Sequence, residues 1–425
     1  MMEIDFDAAA VADPYGTYER MRSAPGLVRD SRQGFWVATR YEDVREGGLR
    51  TEDFSSRIVD VLIGASGLGA WFGWLTRELG PVDVLAVADA PEHRVHRKLT
   101  NRHFGRDAVA HTIDRARPVL RERLGSFIRA GGGDFAAQIA STLPVHTTLG
   151  LLGFPDADEQ RMKRIVDTAV LLLSGVFPPE RKLASIAAAL ELYSYSWRRL
   201  QRAKRSRHPA SPLRDAIVAA IDDQSLTRRE AASLLVQIVS AGIDSTSSLL
   251  STAAHRLALD PELAQRLRSS PALIPIFIEE CVRLESPFQG HFRVVRRPTT
   301  LGGTAMKTGD RLMLGWGSAN RDPAAFQRPE QLDLDRDMHE RRHLAFGHGA
   351  HLCVGAGLAR ALGRTMVETM LAETRHIQLA GQGPTWRPSA YLRTITALPL
   401  RVAPSPRPSA LSKGRADSST RAAGP

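Results

Sequence analysis

The chain has 425 residues, 43% of them hydrophobic and 24% charged. That is enough apolar material for one large domain or a few ordinary ones, with a charge content typical of folded proteins. Two cysteines exclude a disulfide framework and suit a reducing cytoplasm. The net charge of +11 would suit nucleic acid, an anionic membrane or an acidic protein partner. No zinc-finger spacing or aromatic-rich RNA-binding signature accompanies it, so no nucleic acid is expected.

In chain order, "MMEIDFDAAAVADPYG" is acidic and lacks the basic start and apolar core of a signal peptide. Residues 1–12 are read as a flexible N-terminus. "GFWVATR" (Gly34–Arg40) has a strand pattern. "VLIGASGLGAWFGWL" (Val61–Leu75) is the most apolar stretch, but it is too short and glycine-broken to span a bilayer. The expectation is a cytoplasmic protein without a membrane anchor. The part from Gly64 to Gly73 suits a lid and, equally, core packing.

Helical periodicity dominates, over Leu183–Ala203, Thr227–Leu259 and Ala359–Glu373. The basic run "WRRLQRAKRSRH" (Trp197–His208) reads as a solvated helix face. The longest helix opens at "TRRE" (Thr227–Glu230), which has capping-box spacing, and stops near Asp260 and Pro261. Roughly 50 Å long at 1.5 Å per residue, it would cross a whole domain. Its middle, "SAGIDSTSS" (Ser240–Ser248), puts glycine, a carboxylate and hydroxyls where the core should be driest. Because Leu234, Leu235, Ile238, Leu249 and Leu250 flank it, a buried kink is favoured over a polar face in solvent. Thr299–Gly315 looks like turns between short strands, and "YLRTITALPLRV" like a further strand. The fold class is therefore mainly α, with small β-sheets at the two ends of the sequence. Residues 403–425, rich in proline, serine and arginine, are expected to be a disordered tail.

Cys353 lies in "FGHGAHLCVGAG" (Phe346–Gly357). Glycines 347, 349, 355 and 357 permit positive φ and close backbone approach. The segment after the cysteine reads as a helix, whose dipole and free amides lower a thiol's pKa. The thiol could be a nucleophile with His348 or His351 as base, a metal ligand, or an inert buried group. No second cysteine lies nearby, which argues against tetrahedral zinc and iron–sulfur clusters. A thiolate cushioned by amides also suits the axial position of a haem iron, and the residues alone leave these choices open.

A resemblance narrows them. Phe346, Gly347, Gly349, His351, Cys353, Gly355, Leu358, Ala359 and Arg360 match the cysteine-loop signature of the cytochromes P450, the haem-thiolate monooxygenases. "EECVR" resembles the family's Glu-x-x-Arg helix, "AGIDS" its oxygen-binding helix and "PEHRVHR" an early haem contact. "SANRDP" and "HLAFGHG" are similar to the soluble bacterial branch. The resemblance covers 13–402 and implies a single cytochrome P450 domain, with a haem between the long central helix and the cysteine-loop helix.

It also implies roles. Cys353 would be the proximal ligand of haem b, with Phe346, Gly347 and Gly355 beside it and Ala241 and Gly242 against the other haem face. His93 and Arg97, four apart on one helix face, would hold one propionate. Arg293 and His351, with His343 as a further candidate, would hold the other. Glu280 and Arg283 would form a structural ion pair, while "RPEQLDLDR" departs from the pattern that usually adds a third arginine. Asp244, Ser245 and Thr246 would relay protons to oxygen, with serine where threonine is usual and so a looser hydroxyl. A substrate pocket would draw on Trp71, Phe72, Trp74, Val236, Phe288, Gln289, His291, Thr394 and Ile395, lining that suits an apolar lipid, steroid, terpenoid or polyketide-like molecule.

Molecular oxygen would be co-substrate. With no flavin or nicotinamide module in the chain, electrons would come from an acidic ferredoxin or flavodoxin with its NAD(P)H-dependent reductase. Arg94, His96, Arg97, Lys98 and Arg102, with Arg341, Arg342 and Arg364, would supply a basic docking face. The expected activity is hydroxylation or epoxidation. The alternative, prompted by Ser245, is redirected chemistry such as peroxide-driven oxidation or oxidative ring coupling.

Overall fold

The computed structural model describes residues 2–4, 8–59, 78, 80–154, 158–170, 179–206, 211–336 and 342–405. The fold is organised by one helix, Arg228–Leu259. Its capping box is formed: the Thr227 hydroxyl accepts from Glu230 N at 3.1 Å, and the Glu230 carboxylate accepts from Thr227 N at 2.7 Å. Asp260 closes it and caps the next helix, Pro261–Ser269. Helices Thr142–Leu151, Pro179–Arg205, Ile274–Leu284 and Ala356–Glu373 pack around it. Among the described residues this is the one helix long and apolar enough to cross a membrane, and 67% of that stretch is buried inside the protein, as in a core helix.

The helix runs unbroken through Ser240–Ser248, so its hydrogen-bonded turns are not interrupted there. Two of its hydroxyls are satisfied within the helix, Ser245 Oγ donating to Ala241 O at 2.5 Å and Ser247 Oγ to Ile243 O at 2.8 Å. Ser248 Oγ donates to Arg393 O. Back-bonding of this kind lets serine stay in a dry helix without opening it to water. Gly242 has another reason: a Cβ there would lie 2.9 Å from Thr148 Oγ1 on the crossing helix.

The strands are β1 (Glu3–Ile4), β2 (Val28–Asp30), β3 (Trp36–Ala38), β4 (Phe54–Ser55), β5 (Gly132–Asp134), β6 (His291–Val295), β7 (Thr299–Leu301), β8 (Thr304–Met306), β9 (Arg311–Leu314), β10 (Thr374–Leu379), β11 (Thr385–Trp386), β12 (Ile395–Ala397) and β13 (Pro399–Pro404). The larger sheet has the order β1-β2-β3-β9-β6-β4, and a smaller one the order β10-β13-β5. β-structure is therefore not confined to the two ends of the sequence. Gly132–Asp134, which has no strand pattern, is recruited by antiparallel pairing with Pro399–Arg401. The expected flexible start also contributes, since Glu3–Ile4 pairs in parallel with Arg29–Asp30. At the other end β13 continues through Pro404, beyond the expected boundary at 402, while the tail from 406 lies outside the described residues.

Candidate functional site

The cysteine loop is closed by its own backbone. Cys353 N donates to Phe346 O and Gly347 N to Leu344 O, each at 2.8 Å. Only two of its glycines need left-handed backbone: Gly347 has φ +74° and Gly349 φ +69°. At Gly349 a Cβ would stand 2.8 Å from Gly48 O, so this loop is pressed against the end of helix Tyr41–Leu49. Gly355 has φ −86°, and Gly357 sits inside helix Ala356–Glu373, so neither uses that freedom.

The thiol opens into a cavity of about 210 Å³. Burial raises its pKa; the amides of Gly355 and Ala356 and the guanidinium groups of Arg97 and Arg360 oppose this without cancelling it. Phe346 lines the cavity beside Cys353, with the Arg360 guanidinium 4.2 Å from its ring centre.

One face of the central helix forms the opposite wall, through Ile238, Ala241, Gly242, Ser245, Thr246 and Leu249. Helix Glu92–Asn101 and β6 supply a basic rim of His93, Arg97 and Arg293, completed by His351 of the loop. The rings of His93 and His351 are 4.3 Å apart. His351 Nε2 lies 3.0 Å from Ser56 Oγ, whereas His351 Nδ1 and His93 Nε2 are buried without a partner. Arg97 donates to Leu352 O at 2.7 Å and Arg293 to Phe292 O at 2.8 Å. Burial pushes the Arg293 guanidinium down to about 10 and, aided by Arg293, the His351 imidazole down to about 3. Neither arginine has a carboxylate ion-pair partner among the described residues. Unpaired buried donors and cations call for anions, and the two propionates of a haem fit this rim. Leu249, Phe346, Leu358, Ala359 and Leu362 give the apolar walls that a porphyrin needs.

Several expected residues lie elsewhere. His343 is spent on Glu279, 3.1 Å from its Nε2, and its Nδ1 accepts from Ala345 N, so it does not join the rim. Asp244 is buried and turned away from the cavity, its carboxylate accepting from Arg387 Nη1 at 3.0 Å. Arg387 Nη2 reaches Asp167 at 3.2 Å, and Asp167 in turn binds Lys163. Burial still holds the Asp244 carboxyl above its ordinary range despite Arg387.

Phe288 and His291 do line the cavity, but Val236 does not. It faces the cluster formed with helices Glu159–Ala169 and Pro179–Arg205, and Ile238 takes the cavity face instead. Gln289 is buried against Ser286 O, Ile395 belongs to the main core and Thr394 is buried outside the cavity lining. Trp71, Phe72 and Trp74 lie outside the described residues. The sequence reading missed the contribution of helix Thr142–Leu151, which lends Pro144, Thr147 and Thr148 to the wall.

Glu280 and Arg283 form a fully buried two-point pair at 2.8 and 2.9 Å. The missing third partner is present. It is Arg336, the residue that ends "RPEQLDLDR", with Nε 3.2 Å from Glu280 Oε1. Neighbouring Glu279 grips Arg360 through two bonds of 2.7 and 2.8 Å, joining this helix to the cysteine-loop helix. Burial would raise Glu279, but the bonds from Arg360 and His343 outweigh it and hold the carboxyl down at about 2.

A lone loop thiol facing a helix hydroxyl across an apolar, basic-rimmed cavity is the architecture of a haem-thiolate protein. The family model described as Cytochrome P450 matches residues 272–385. Cytochrome P450 144 of Mycobacterium tuberculosis is 36% identical over 399 residues, covering 93% of this chain and 91% of that protein. The beta-dihydromenaquinone-9 omega-hydroxylase of the same organism is 30% identical, covering 95% of this chain and 78% of that protein. Among solved structures, CYP109E1 from Bacillus megaterium in complex with testosterone is 25% identical with a TM-score of 0.82, covering 93% of this chain and 99% of that one. The chain belongs to the cytochrome P450 family and is an oxidoreductase of the bacterial type; membership implies haem b as cofactor and O2 as co-substrate.

Proposed function

We propose that this protein hydroxylates or epoxidises an apolar small molecule, using electrons from an acidic ferredoxin or flavodoxin with its NAD(P)H-dependent reductase. The observation that carries the reading is one cavity lined by both Cys353 and Ser245, with a cationic rim that has no acid among the described residues. Haem, once bound, supplies the iron at which O2 is reduced.

The chain's own residues do the rest. Cys353 offers its sulfur from a loop whose backbone bonds fix it. His93, Arg97, Arg293 and His351 hold the propionates and so set the orientation of the ring. Phe346 shields the sulfur from water. On the distal wall the Ser245 hydroxyl now donates its proton in a hydrogen bond to Ala241 O, and rotation about one bond turns that proton toward the cavity. Asp244, next in the helix, is the buried acid of the proposed relay, and its carboxylate must leave Arg387 to serve in it. The apolar lining excludes bulk water, which limits unproductive loss of reduced oxygen.

The lining supports a large apolar substrate of lipid, steroid, terpenoid or polyketide type. The testosterone bound in the Bacillus megaterium structure and the menaquinone named for the mycobacterial relative belong to that range. Peroxide-driven chemistry is favoured by one observation only, the turning of Asp244 away from the cavity toward Arg387. Turnover with hydrogen peroxide alone separates the two.

Optical titration of the purified ferric protein tests the main reading. The expected result is a haem band that shifts to the high-spin form with one apolar class, and its loss in Cys353→Ala. A wild-type protein that binds no haem overturns it.

A further inference from the structure

Beyond its propionate rim the cavity wall is mainly apolar, with hydroxyls from Thr147, Thr148, Ser245 and Thr246, the Gln237 amide and the His348 ring, and His291 also stands on it. Trp316 Nε1 lies 2.7 Å from His291 Nδ1. An indole nitrogen can only donate, so Nδ1 must be the unprotonated, accepting nitrogen. A neutral imidazole has one N–H, and it is therefore forced onto Nε2. Charging the ring would put a second proton on Nδ1, pointing at the indole N–H.

Trp316 is 2% exposed, so this lock is built into the core. Phe288 and Tyr391 hold the ring further, with centroids 5.1 and 5.8 Å away. Nε2 has no partner among the described residues. Burial, with Arg293 adding to it, keeps the imidazole neutral, with its pKa down at about 3.

We infer that His291 is a specificity-determining residue, a fixed hydrogen-bond donor that selects apolar substrates carrying an acceptor oxygen such as a ketone or ester carbonyl. This rests on the monooxygenase reading and narrows its substrate class. A hydrocarbon without an acceptor leaves the N–H unpaired in a dry wall, and the site discriminates against it.

The test uses the haem-loaded protein and a matched pair, 4-phenylcyclohexanone and phenylcyclohexane, with dissociation constants read from the haem spectral shift. The quantity is the ratio of the ketone's dissociation constant to the hydrocarbon's. In His291→Phe this ratio should rise about tenfold over wild type, the scale of one buried hydrogen bond. His291→Gln, which keeps an N–H donor, should recover part of the preference, and Trp316→Phe, which frees the tautomer, should lose part of it. An unchanged ratio in His291→Phe overturns the inference. So does loss of haem from that variant, which would assign the donor to the cofactor. Failure of the monooxygenase reading would instead appear in the wild type, as absent haem or absent product.

Discussion

A hydroxyl is a useful proton carrier only if its rotamer is held. Ser245 lacks the methyl group that stiffens threonine at this kind of position, and its present bond to Ala241 O ties the proton to the helix backbone. Ser245→Thr should raise the yield of product per electron consumed, and Ser245→Ala should lower it severalfold, with more hydrogen peroxide released in its place. Paired measurement of cofactor oxidation and product decides; equal yields from serine and threonine would sink the idea. The buried acid next to it explains why the position is sensitive. Asp244 has a single hydrogen-bond partner for its carboxylate among the described residues, Arg387.

Between elements, the decisive contacts are ionic and distant in sequence. Glu279 links helix Ile274–Leu284 to the cysteine-loop helix through Arg360. Its carboxyl moves from an ordinary 4.5 to about 2, which corresponds to stabilisation on the order of 3 kcal/mol. Because the folded pKa is the lower one, this contribution is complete above pH 4.5 and disappears as the pH falls toward 2. Urea unfolding of Glu279→Gln should show lower stability than wild type at pH 7, and the difference should shrink as the solution is acidified. A constant difference across that range would contradict it.

The sequence made the central helix legible almost to the residue, because a capping box and a helical period are local signals. It did not reveal Gly132–Asp134 as a strand, since that role is conferred by Pro399–Arg401 across the fold. Arg336 and Arg387 escaped notice for the same reason: an arginine carries no local mark of the carboxylate it will meet. Val236 shows a finer limit. Periodicity tells that a helix has an apolar face, but not which neighbour, cavity or core, each part of that face will meet.

For the whole molecule, charge placement matters more than charge total. Arg94, Lys98 and Arg102 lie exposed on and just beyond helix Glu92–Asn101, while His96 is turned inward against Leu85 N and Glu230. Arg97 faces the cavity. An acidic electron donor approaching the cysteine side would therefore meet three exposed cations from this segment that have no acid partner among the described residues. Lys98→Glu with Arg102→Glu should slow reduction by such a donor at least tenfold at low salt, with the gap narrowing as ionic strength rises. Stopped-flow reduction at two salt concentrations checks it, and salt-independent rates would argue for docking elsewhere. The closeness of Gly349 to Gly48 has a consequence of another kind, in the order of assembly. The sulfur loop takes its shape against backbone made near the start of synthesis, yet the loop itself is made near the end. His93, Ser245 and Arg293 must all wait for it. A nascent chain thus has no complete pocket to offer, and cofactor capture becomes a late event that reports on a nearly finished fold.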